Sequence, residues 1–76
     1  MTKLEQKLIE LGYEKEKLSY VKRLEGRIEI HIFIYPNELV GGVEQRDYFV
    51  IYQSQINRLQ QAFNQLQKDL EVLKDV

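Results

Sequence analysis

The sequence predicts an α+β fold in the order α-β-β-β-α. A three-stranded antiparallel meander carries a short N-terminal and a long C-terminal helix on one face. Three observations predict it. Leu4, Leu8 and Leu11 recur at helical spacing near the start. Ile28, Ile30, Ile32 and Ile34 alternate without a fault, which is a strand signal. Ile56, Leu59, Phe63, Leu66, Leu70 and Leu73 then form a seam at steps of 3, 4, 3, 4 and 3, unbroken by Gly or Pro. The 76 residues read as a single domain, 1–76, with no internal repeat and no linker.

The first helix has a start and a stop signal. Thr2 with Glu5 fits a capping box, in which the Thr hydroxyl accepts from the Glu5 N–H and the Glu carboxylate returns to Thr2. Gly12 is the left-handed residue expected to end the helix, and it sets Tyr13 against Leu8 in a Schellman motif. A helix of about ten residues needs tertiary packing to persist, so it reads as a lid on the core. Glu14 to Lys17 read as a charged connector.

Leu18 to Arg23 are expected to pair with the isoleucine strand. A two-residue loop at Glu25-Gly26 sets Ser19, Val21 and Arg23 on the Ile face. A three-residue loop, Leu24 to Gly26 with Gly26 left-handed, sets Leu18 and Tyr20 there instead. The second buries more apolar area and avoids a positive φ at Glu25, so it is preferred. Pro36-Asn37 ends the isoleucine strand. Leu39 to Val43, with Gly41-Gly42 inside, reads as a loop or as the bulged start of the next strand. The third strand is placed at Tyr48 to Ile51, beginning as early as Val43. Consecutive strands on short loops make a meander. The long helix is expected to start at Ser54 as N-cap and to run to Lys74.

Composition excludes several classes of function. Eleven Lys and Arg offset twelve Asp and Glu, so no field of one sign draws nucleic acid or anionic lipid to the chain. There is no Cys and one His, which excludes disulfides, thiolate metal sites and a His cluster. No cofactor or nucleotide motif is present; the double Gly lacks phosphate-loop spacing. The longest apolar run is five residues, far below the roughly 20 of a membrane helix. No apolar leader core stands at the N-terminus. A cytoplasmic location is the expectation.

Two surfaces are candidates for work. A chain of this size hides only about 60 % of its unfolded surface, and a second subunit is the supplement open to it. The seam of the long helix extends beyond what a small sheet covers, and its Gln- and Asn-rich flanks allow close approach of another helix. The sheet face away from the helices carries Val21, His31, Phe33 and Tyr35. The candidate oligomer interface is therefore Phe63, Leu66, Leu70 and Leu73 with Phe33 and Tyr35. A nucleic-acid patch of Tyr20, Lys22, Arg23, Arg27 and Tyr35 is the alternative, since bases plus aromatics on a sheet serve single strands. His31 beside Glu29 has no nucleophile in a recognisable arrangement, and it reads as a solvated strand residue.

The succession T-K-L-E-Q-K-L-I-E-L-G-Y, I-E-I-H-I-F-I and L-Q-Q-A-F-N-Q-L-Q-K-D-L resembles small uncharacterised proteins of temperate phages and prophages of low-GC Gram-positive bacteria. The resemblance implies a small accessory protein inside an infected or lysogenic cell, with a host or phage protein as a possible partner. It carries no functional residue to this chain. The expectation is a non-enzymatic homo-oligomer.

Overall fold

The structure, a computed structural model, describes residues 2–45 and 52–76. In chain order the elements are α1 (Lys3–Glu10), β1 (Glu14–Lys15), β2 (Tyr20–Leu24), β3 (Ile28–Tyr35), β4 (Glu38–Gln45) and α2 (Gln53–Lys74). The sheet is antiparallel, in the order β1-β2-β3-β4. The α+β class and the meander hold, but the described sheet has four strands where three are expected. The segment Tyr48 to Ile51, taken as the third strand, lies outside the described residues.

α1 follows its caps. Thr2 accepts from the Glu5 N–H at 3.2 Å. The Glu5 carboxylate faces the Thr2 backbone N–H in return, as a capping box requires. It accepts from the Thr2 hydroxyl at 3.2 Å and from the Tyr20 hydroxyl at 2.8 Å. At the other end Gly12 has φ +97°, and the N–H groups of Gly12 and Tyr13 donate to Ile9 and Leu8, both at 3.0 Å. That is the Schellman pattern, and it buries Tyr13 with Leu8. The connector then pairs briefly, with Glu14 opposite Val21 and Lys15 opposite Tyr20.

The β2–β3 loop is Glu25–Arg27, a tight turn in which Gly26 at φ +75° and Arg27 at φ +62° are both left-handed. Leu24 belongs to the strand and pairs with Ile28, one residue beyond the expected loop. The parity is the expected one, and Tyr20, opposite Ile32, sits on the Ile face and is buried. Leu18 does not join it. Leu18 stands in the bend before β2, 85 % exposed, because strand pairing starts only at Tyr20.

Pro36-Asn37 closes a hairpin, with Tyr35 opposite Glu38, so β4 starts well before the expected strand. Gly41 lies inside β4 for a packing reason. A Cβ there would stand 2.7 Å from Leu66 Cδ1 and 3.5 Å from both Leu70 δ carbons. The bare backbone lets α2 settle directly on the strand. Gly42 faces the other way and a Cβ there would meet nothing. The core gathers Leu8 of α1, Tyr13, Tyr20, Ile30, Ile32, and Leu66 and Leu73 of α2, so both helices share the Ile face.

α2 starts at Gln53, one residue before the expected N-cap Ser54. Tyr52 takes the cap position, and its N–H donates to Gln55 Oε1 at 2.9 Å. The buried residues of α2 are Ala62, Leu66, Asp69 and Leu73. This stripe is rotated from the expected seam. The Leu59, Leu66 and Leu73 side of the seam turns inward. Ile56 and Phe63 stay 47 % and 44 % exposed. Among the described residues no helix is long and apolar enough to cross a membrane.

Candidate interaction surfaces

The rotation of α2 has a chemical cause. Asp69, 2 % exposed, occupies the buried face. Its Oδ2 accepts from the Tyr13 hydroxyl at 2.7 Å and lies 3.5 Å from Lys22 Nζ, while Oδ1 accepts from Gln65 Nε2 at 2.9 Å. Lys22 Nζ also sits 5.4 Å from the centre of the Tyr13 ring, a cation–π distance. Burial, with the acceptor Asp69 behind it, pushes the Tyr13 hydroxyl well above the usual phenol range. The cluster ties the residue after α1 to β2 and to the last third of the chain. These contacts fasten the three segments to one another.

The outer sheet face carries Val21 and Arg23 of β2, Glu29, His31, Phe33 and Tyr35 of β3, and Glu38, Val40, Gly42 and Glu44 of β4. The three rings stand in a row. His31 and Phe33 are 6.5 Å apart and 17° from parallel; Phe33 and Tyr35 are 6.4 Å and 14°. Tyr35 is 53 % exposed, and Val40, opposite Phe33, is 39 % exposed. The opposite end of the face is polar and covered. Glu29 is buried, and Arg23 pairs with Glu14 and Glu16.

His31 is not the solvated residue expected. Its Nε2 lies 3.4 Å from Glu29 Oε2 and 3.3 Å from Glu44 Oε2. The side chain is largely shielded. Two carboxylates beside an imidazole offer acid–base groups, and Ser19 lines the same cleft as Glu29 and His31. Among the described residues no group of His, Asp and Glu is placed to hold a metal ion.

The candidate oligomer residues divide into two sets. Phe33, Tyr35 and Phe63 reach the surface. Leu66 and Leu73 are core residues, spent inside the chain, and Leu70 packs against that core beside Gly41. Ile56, one heptad before Phe63, is the surface apolar residue that the seam missed as an interface member. The alternative nucleic-acid patch does not assemble. Tyr20 and Lys22 lie under the helices, bonded to Glu5 and Asp69. Arg23 and Tyr35 stand at opposite ends of the outer face, which carries four glutamates, Glu14, Glu29, Glu38 and Glu44. Arg27 belongs to the turn, at φ +62°.

Comparison with protein-family models, with curated proteins and with solved structures finds no match to this chain.

Proposed function

We propose that the chain is a non-enzymatic interaction protein that self-associates. The carrying observation is where its uncovered apolar groups lie. Tyr35 and Val40 are exposed on the outer face, and Phe63 and Ile56 are exposed on the flank of α2. Leu70, a heptad beyond Phe63, runs beside Leu39 and Gly41, so this flank belongs to the β4 side of the molecule. Other exposed apolar side chains, Leu18 among them, lie elsewhere on the surface; these four stand near one another on the β4 side, and such a patch is a usual mark of a contact with another protein.

We propose further, on the resemblance to phage and prophage proteins alone, that it works in the cytoplasm of an infected or lysogenic cell with a host or phage protein as a further target. Sedimentation equilibrium across the micromolar range tests the self-association. The expected mass rises with concentration toward twice that of the chain. A single-chain mass throughout overturns the proposal.

A further inference from the structure

We infer that the contact between two copies is made by the outer edge of β4, which pairs with β4 of the second copy to form one continuous sheet, with the Ile56–Phe63 flanks of α2 meeting over it. This rests on the self-association proposed above and specifies its surface.

The two edges of the sheet are built differently. β1 is two residues long and is surrounded by Glu14, Lys15, Glu16 and Lys17. Brevity and charge are the ordinary means of keeping an edge from pairing with another chain. β4 is eight residues long and has neither Lys nor Pro. Its outer edge pairs with no described residue. From Leu39 to Val43 it bears no charge and two glycines, so its own side chains do not obstruct a backbone from alongside. An unguarded edge of this length is a template for strand addition.

The edge also suits its own copy. Antiparallel pairing sets directly opposite residues on the same face, so the two-fold axis passes through a residue. An axis through Gly41 would oppose Glu38 to Glu44 twice. An axis through Gly42 opposes Gly42 to Gly42, Gly41 to Val43, Val40 to Glu44 and Leu39 to Gln45, without facing like charges. The helix layer agrees. The outward flank of α2 reads Ile56, Gln60, Phe63 and Gln67, all uncharged, so two such flanks approach without repulsion. The area is adequate for a modest dimer. An edge about 26 Å long and about as deep as the 21 Å short axis offers roughly 550 Å² per copy, near the lower bound of specific interfaces.

The test is sedimentation of three variants beside the wild type, with circular dichroism for folding. Gly42→Lys places two ammonium groups at the axis, and the site accepts a side chain. Phe63→Glu charges the helix flank. Leu18→Lys alters a more exposed leucine at the far edge. The expected result is a rise of about tenfold or more in the dimer dissociation constant for the first two, about 1.4 kcal/mol or more, and none for Leu18→Lys. Amide exchange of the wild type supplies a readout free of mutation: alternate β4 amides are protected when concentrated and exchange on dilution. A dimer indifferent to both variants, with unprotected outer amides, overturns the edge and leaves self-association standing. A wild type that never dimerises overturns both.

Discussion

Asp69→Ala is the sharpest test of how this chain holds together. The substitution removes the acceptor shared by Tyr13, Gln65 and Lys22. The three donors are not equally trapped. Lys22 is part exposed and can turn its ammonium to water along a flexible stem, and Gln65 is half-buried. Tyr13 is 2 % exposed and cannot reach water without opening the core. A stranded buried hydroxyl costs about 1–3 kcal/mol. Breaking a buried charge pair costs about 3–5 kcal/mol when neither group escapes. With Lys22 free to leave, the expected loss is about 2–4 kcal/mol. Natural domains carry roughly 0.05–0.15 kcal/mol per residue, so this is a large share of the total. Urea unfolding followed by circular dichroism measures it. Tyr13→Phe supplies the control, because it removes one donor and leaves the carboxylate with Gln65 and Lys22. Alone it should cost about 1 kcal/mol, and the double variant should fall short of the sum by about 1–2 kcal/mol, as groups in contact do. An Asp69→Ala loss below about 0.5 kcal/mol, or strict additivity, would refute a buried hydrogen-bonded cluster at this place.

The neighbouring glycines of β4 should answer oppositely. Gly41→Val drives a side chain into Leu66 and is expected to cost about 1–3 kcal/mol. Gly42→Ala meets nothing and should gain about 0.5 kcal/mol, both read by urea unfolding. Gly12→Ala places a Cβ at φ +97° and should cost about 1–2 kcal/mol in the same assay. In alkali, burial and the acceptors Asp69 and Glu5 raise the Tyr13 and Tyr20 hydroxyls above their ordinary value near 10. Their contribution is complete below pH 10 and is lost as pH rises through the folded values. Tyrosinate absorbance should therefore lose a component that ionises above the ordinary phenol range in both Tyr13→Phe and Tyr20→Phe; loss of a component at the ordinary value instead would contradict the contacts. In acid the sign reverses. The Tyr20 hydroxyl holds Glu5 below its ordinary 4.5, so its contribution is present above that pH and fades as pH falls through the lower folded value. Tyr20→Phe should return the Glu5 titration, followed by NMR, toward the ordinary value.

Local chemistry made part of this fold legible. Thr2 and Gly12 bracket α1 because a cap and a left-handed stop act within a few residues. The isoleucines of β3 announce their face because a pleated strand repeats every second residue. β4 was hidden because glycines occupy both faces at its centre, erasing the alternation that marks a strand. Gly41 is there to admit Leu66, a contact made across 25 positions that no local window contains. The face of α2 was misjudged for a related reason. Large apolar residues define a seam, but the buried stripe includes Ala62 and Asp69, the one small and the other charged. The acid becomes a core residue only through Tyr13 and Lys22. Of the surface candidates, Phe33, Tyr35 and Phe63 were legible as apolar residues on strand and helix flanks. Leu66 and Leu73 were not separable from them by spacing alone.

The link from Tyr13 to Asp69 joins positions 56 apart in a chain of 76. The stop of the opening helix is therefore fastened only when nearly the whole polypeptide has emerged, while the hairpins between can zip from neighbouring residues. Maturation of this protein is thus a closing of its two extremities around a ready-made middle. Any truncation that removes the final turns of α2 should set the beginning of the chain adrift.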